Sequence, residues 1–388
     1  MDIAVLFLRL GATAFGGPAA HVSMMEHEVV TRRGWLTRGE FLDLLGATNL
    51  APGPNSTKLA LFIGYARGGW PGFLLAGLGF VLPATLIVTV FAWAYVRFGS
   101  LPAFPHFFAG IKPVVLALIV QALVGLGRTA MKNRFLFVLG LAALAAAFFV
   151  HEILLLVVSG CVSVGVMAFE DLLRKGRGRD STTQAGKDPA PPRPPSKKSS
   201  ILSLSLPLLL PAALSSSFSL TSLFLFFLKT GAILFGSGYV LLAFLKADLV
   251  ERWHWLTSAQ LLDAVAVGQF TPGPLSSTAT FIGYLLGGLP GAAVATLGIF
   301  LPAFVFVALM GPFVLRLRRS RPLGAFLDGV NVAALALMGS VTFQFASPAL
   351  TNGPTVALFL AAVAILAAIR INAAWLVLLG GILGVVFG

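Results

Sequence analysis

Apolar residues run together along this chain in long blocks almost free of charge, at 73–96, 114–127, 135–150, 154–169, 292–315 and 356–369. Blocks of this length approach the ~17–25 residues that a helix needs to cross a bilayer. They predict an all-α polytopic membrane protein. Several fall short, so part of the chain must tilt, thin the bilayer locally or enter and leave on one side.

The punctuation of these blocks occurs twice. Phe15-Gly16 is matched by Phe235-Gly236, Arg32 by Arg252, Trp35-Leu36-Thr37 by Trp255-Leu256-Thr257, Asp43 by Asp263 and Pro52-Gly53-Pro54 by Pro272-Gly273-Pro274, all at an offset of 220. After a one-residue deletion the match resumes at 219, with Phe62-Ile63-Gly64-Tyr65 against Phe281-Ile282-Gly283-Tyr284, Leu82-Pro83-Ala84 against Leu301-Pro302-Ala303 and Gly110 against Gly329. Self-similarity over this length defines two homologous repeats, at 1–170 and 218–388. Between them, 171–200 is rich in Lys, Arg, Pro and Ser and reads as a flexible cytoplasmic linker. The short apolar stretch 201–217 has no counterpart before the first repeat.

Charge then orients the repeats. The turn with Arg128, Lys132 and Arg134 faces a second-half counterpart, 347–353, without a basic residue, whereas the loop at Arg97 is matched by one carrying Arg316, Arg318, Arg319 and Arg321. Basic residues collect in cytoplasmic loops, so the repeats are expected to have inverted topology, with 201–217 supplying the odd crossing. Inverted repeats are a common build of secondary transporters, whose substrate site lies near the midplane where broken helices meet.

Each repeat is expected to open with paired re-entrant or broken helices. The first break is Phe15-Gly16-Gly17-Pro18, and Phe235-Gly236-Ser237-Gly238 in the second half; the other is the Pro-Gly-Pro triplet. Two prolines remove two backbone donors and disfavour helix before each ring, so the helix from residue 40 should end near Asn49 and a new one start at Pro54. Arg32, Arg33 and Arg38 before this hairpin and Arg67 after it suit entry and exit on one side. Non-helical backbone at membrane depth is tolerated only where it is buried in protein or lines a watery cavity.

A helix starting at Pro54 or Pro274 points free N–H groups and about half a positive charge into such a cavity, a setting for an anion. The polar residues around the breaks are Asn49, Asn55, Ser56 and Thr57 in one half and Gln269, Thr271, Ser276, Ser277 and Thr278 in the other, with Lys58 adding a full charge on one side only. These side chains either meet substrate or cap the helices, and Lys58 either binds an anion or snorkels. Asp43 and Asp263 serve proton coupling or pair with Arg32 and Arg252; the two arginines either hold an oxyanion or mark the interface.

Composition narrows the class. The 388 residues are 57% hydrophobic and 11% charged, with a mean hydropathy of +0.93, unlike a soluble domain. The net charge of +13 lies in one linker and in short turns, a topology signal rather than a nucleic-acid footprint. Asp2 replaces the basic start of a secretory signal, so no removable signal is expected. A lone Cys161 excludes a disulfide framework, and His21 and His27 with Glu26 and Glu28 lack metal spacing and a second-half equivalent, so neither metal nor cofactor is expected.

The pairing of Phe-Gly-Gly-Pro at 15–18 with Trp35-Leu36, Pro52-Gly53-Pro54 and Phe62-Ile63-Gly64-Tyr65 resembles the chromate ion transporter family. The resemblance covers about 8–170 and 220–388, the two fused domains of its long members. It implies efflux of chromate, with sulfate as the close analogue, by a multi-pass protein of the cytoplasmic membrane. Leu275 in place of Asn55, and Phe-Gly-Ser-Gly in place of Phe-Gly-Gly-Pro, leave open whether both halves touch substrate. Sulfate import is the alternative, and a membrane chromate reductase a remote one, since no ligand set for an electron carrier is evident. The expected partners are the anion and the lipid bilayer, with a homodimer as an open arrangement.

Overall fold

The computed structural model describes residues 2–99, 101, 103–180, 218–234, 238–310, 321–369 and 371–387, and among these all regular structure is helical. Helix α1, Asp2–Thr13, is at ~1.5 Å per residue far too short to cross a ~30 Å hydrocarbon core. It turns at Gly16, whose φ of 103° suits glycine. Helix α2, Gly17–Glu26, starts there with Pro18 in its first turn and widens into a π-helical stretch, His27–Arg32. Arg9 lies 3.7 Å from Glu28, so α1 and α2 form a hairpin that returns to the side it entered from.

A second hairpin follows. Helix α3, Arg38–Thr48, begins at a capping box in which Thr37 and Glu40 satisfy each other's backbone N–H. It stops at Asn49, as the prolines require. Helix α4, Asn55–Phe98, begins directly after Pro54 and is divided by non-helical backbone at Gly68 and Gly69. Its short first part folds back toward the start of α3, as shown by the guanidinium groups of Arg33 and Arg67 both lying against one ring, Trp35, at 5.0 and 5.5 Å. The spanning part begins after the kink. Helices α5, Ala103–Ala130, α6, Arg134–Ala146, and α7, Glu152–Asp180, complete the half.

The second half repeats this order in α8, Leu220–Ile233, α9, Leu241–Phe244, the π-helical stretch Leu245–Arg252, α10, Ser258–Phe270, a 3-10 turn Leu275–Ser277, α11, Thr278–Met310, α12, Arg321–Ala349, α13, Gly353–Ala368, and α14, Ala373–Phe387. Even the kink is copied: φ/ψ is 58°/−146° at Gly69 and 60°/−150° at Gly288. Among the described residues, Asn55–Phe98, Phe104–Ala130, Glu152–Leu173, Leu275–Met310 and Arg321–Ala349 are long and apolar enough to cross a membrane.

The halves interlock. The long helices pair across the interface, α4 with α11 and α5 with α12, while α6 and α7 pack on α12 and, reciprocally, α13 and α14 pack on α5. Phe73 meets Phe304 with ring centroids 5.7 Å apart, and Phe304 is the repeat counterpart of Thr85, more than three turns beyond Phe73. Equivalent helices can touch with that stagger only if they run antiparallel. Lys132, just after the end of α5, lies 2.6 Å from Asp328 near the start of α12, which requires the same of that pair. The repeats are therefore inverted.

The Lys132–Asp328 pair also joins the turn of Arg128 and Arg134 to the end of α12 that carries Arg321, so these basic residues share one end of the described molecule. The expected linker begins later than residue 171, because α7 continues to Asp180: an established helix propagates readily through Leu, Lys and Arg. The remainder of 171–200, the stretch 201–217, Phe235, Gly236 and Ser237, and Arg316, Arg318 and Arg319 lie outside the described residues.

Candidate functional site

The two Pro-Gly-Pro breaks meet the opposite half. Gly53 N–H donates to the Leu234 carbonyl at 2.7 Å and Gly273 N–H to the Ala14 carbonyl at 2.9 Å. Both glycines have positive φ, 104° and 91°, and both face the long helix of the other repeat just after its internal proline, Gly53 against Ala303 and Gly273 against Ala84. The non-helical backbone is thereby buried in protein, at the junction of the repeats.

On the first-half side, Pro52, Gly53, Pro54, Ser56 and Thr57 are buried and Asn49 is exposed. Lys58 is 0% exposed, and its Nζ donates to the Ala51 carbonyl at 2.5 Å. Among the described residues no carboxylate lies within ion-pair distance of it. His21, considered from sequence only as a metal ligand, instead braces this turn: its ring nitrogens lie 3.0 Å from Ser56 Oγ and 3.1 Å from the Ala14 carbonyl. A carbonyl only accepts, so Nε2 carries the proton and Nδ1 accepts from the Ser56 hydroxyl.

On the second-half side, Gln269, Thr271, Pro272, Gly273, Pro274, Ser276, Ser277 and Thr278 are all buried. Thr271 caps backward, donating to the Val267 carbonyl at 2.7 Å. The hydroxyls of Ser276, Ser277 and Thr278, with Thr57 Oγ1 and Asn55 Oδ1 across the junction, are buried without a hydrogen-bond partner. Buried polar atoms are rarely left so. The four hydroxyls are free to donate to an anion at two helix starts, whereas Asn55 Oδ1 can only accept.

Two cavities flank the junction and differ in character. One of about 370 Å³ is walled by Asn49, Asn55, Pro18, Asn331 and the Lys132–Asp328 pair, so it opens toward the basic end. The other, of about 600 Å³, is lined by Phe91, Phe104, Phe107, Phe270 and Trp375. The asymmetry has a source in packing. Residues 261–270 of α10 are all buried, whereas Leu42 and Asp43 on the equivalent helix α3 are exposed. Helix α10 is held against α5 and α14, while the chief neighbour of α3 is α4.

Equivalence in sequence therefore does not carry over to the charged residues. Asp263 is buried, with Lys112 at 3.2 Å and the Tyr95 hydroxyl donating to it at 2.9 Å; Asp43 is exposed. The expected pairings with Arg32 and Arg252 give way to pairings within the π-helical stretches: Arg32 holds Glu28 at 3.0 Å and Arg252 holds Asp248 at 3.6 Å, one turn back in each case. Both side chains are more than half exposed, away from the junction. An i,i+4 partner on the same helix needs no tertiary docking, so it prevails. Sequence reasoning missed Lys112 and Tyr95; a lysine at the edge of the apolar block 114–127 was the available signal for the first.

Antiparallel repeats, buried broken helices and polar donors at their junction define an inverted-repeat membrane transporter. The sequence model of the chromate transporter family matches residues 1–166 and 221–385, and the chain belongs to that family. It is 34% identical to a chromate transport protein of Cupriavidus metallidurans over 94% of this chain and 87% of that one. It is 32% identical to a probable chromate transport protein of Synechococcus elongatus, over 90% and 85%, and 30% identical to a chromate transport protein of Pseudomonas aeruginosa, over 97% and 90%. No solved structure matches it.

Proposed function

We propose that this protein is a secondary transporter that exports chromate across the cytoplasmic membrane and so confers chromate resistance, with the anion held at the junction of the two Pro-Gly-Pro breaks. The observation that carries the site is Lys58, a fully buried amine without a carboxylate partner among the described residues. An ionised group in such surroundings costs several kcal/mol unless an anion compensates it. One lysine charge and two helix ends of about half a charge each sum to roughly the charge of a tetrahedral dianion. The unpartnered hydroxyls supply hydrogen bonds to its oxygens, the Asn55 amide can add one through its Nδ2, and Gly16 and Gly17 belong to a break that lets the backbone approach; Gly236 is the sequence counterpart of Gly16.

The polar character of the cavity at the basic end and the packing of α10 onto α5 on the other side support a cytoplasm-facing state of an alternating-access cycle. The re-entrant hairpins of α3 and α10 exchange packed and unpacked positions, and the inside-negative potential favours expulsion of a dianion by about 2.3 kcal/mol per charge per 100 mV. The test is uptake of radiolabelled chromate and sulfate into inside-out vesicles. Saturable chromate uptake that sulfate inhibits weakly is the expected result; sulfate uptake without chromate uptake makes the protein a sulfate carrier, and no uptake of either refutes the reading.

A further inference from the structure

Pseudo-symmetry places a second cation where the vestibule on the other side must form. Gly110 and Gly329 are repeat counterparts, so Lys112 corresponds to Asn331. Asn331 is on the wall of the polar cavity, together with Asn49 at the end of α3. On the other side α10 is packed down on α5, and beneath it Lys112 is 17% exposed and Asp263 7%. Asp263 has one oxygen 3.2 Å from Lys112 Nζ and the other accepting from Tyr95 at 2.9 Å. By pseudo-symmetry, α10 in the position that α3 holds now would uncover Lys112 and part it from Asp263.

We infer that Lys112 is a second binding station for the transported tetrahedral dianion, filled by the Asp263 carboxylate while the outer side is closed and released to the anion when α10 lifts. The inference rests on the transport reading above. A carboxylate is the natural resident of such a station, because it offers an amine the same paired anionic oxygens that an oxyanion does. The exchange also keeps Lys112 compensated in both states. A group buried in the bilayer needs that.

The experiment compares wild type with Lys112→Gln/Asp263→Asn and with Asp263→Asn, each as the full chain in proteoliposomes, measuring saturation of chromate flux from either side. An amide pair preserves neutrality, size and hydrogen bonding, so a purely structural latch predicts wild-type transport for the double variant. A station predicts flux at least tenfold lower. Asp263→Asn leaves Lys112 without its resident anion and is expected to lower the KM for chromate offered from the outer side several-fold, with slower turnover; this variant decides the matter if the double one does not fold. Wild-type flux with an unimpaired double variant, or an unchanged KM in Asp263→Asn, overturns the station alone. Absence of chromate and sulfate flux in the wild type removes the transport reading and the station with it.

Discussion

The backbone N–H of Gly53 donates to the carbonyl of Leu234 at 2.7 Å, and the repeat returns the bond from Gly273 to Ala14 at 2.9 Å. Each acceptor stands at the end of a short first helix, where carbonyls lack an intrahelical partner. Each donor sits between two prolines that have none to give. The two repeats thus complete each other's hydrogen bonding inside buried protein.

Gly53→Ala attacks this clasp. An added methyl would stand 2.8 Å from the Ala303 methyl, at a φ of 104° that costs about 1–3 kcal/mol for a residue with a side chain. Chromate flux should fall more than tenfold and the thermal transition drop. Gly125→Ala, where a methyl meets open space in α5, should keep full flux. Equal behaviour of the two variants would mean that the clasp does not matter.

Lys58→Met replaces a buried amine by an apolar chain of similar length. It removes the cost of a buried charge but leaves the Ala51 carbonyl without its donor, so the melting temperature should change little while the KM for chromate rises at least tenfold. A preserved KM would return Lys58 to a structural role.

The orientation of the open cavity is checked by thiol labelling in a Cys161→Ser background. Asn49→Cys should react with a membrane-impermeant reagent from the cytoplasmic side, and chromate should protect it. Gln269→Cys, at a buried position, should react slowly from either side. Fast labelling of residue 269 alone would reverse the assignment of open and closed sides.

His21→Ala removes a ring that holds Ser56 and the Ala14 carbonyl together. It leaves a cavity and two unpaired buried groups, so a destabilisation of about 2–4 kcal/mol is expected. Ser56→Ala should cost about 1 kcal/mol. Equal and small losses in both, measured by denaturant unfolding in detergent, would show that the ring does not brace the turn.

Much of the fold was legible in the sequence because its signals are local. Apolar block length specifies crossing helices, two prolines around a glycine stop α3 at Asn49 and restart the chain at Asn55, and capping boxes at Thr37 and Thr257 depend on residues three apart. The repeat carried these signals twice, and the placement of Arg and Lys turned duplication into inversion.

What the sequence alone determined is where the helices break and which residue types stand beside the breaks. Only the tertiary structure decided what those residues meet. Asp43 and Asp263 are equals in sequence, yet one is exposed and the other is clasped by Lys112 and Tyr95, because α10 is packed against α5 while α3 stands away. His21 gained its role from Ser56, 35 residues away, and Lys112 from an aspartate in the other repeat. Helix formation follows from neighbours along the chain, whereas the burial and pairing of a charge follow from which surfaces close on it, and here that is decided by how whole hairpins pack.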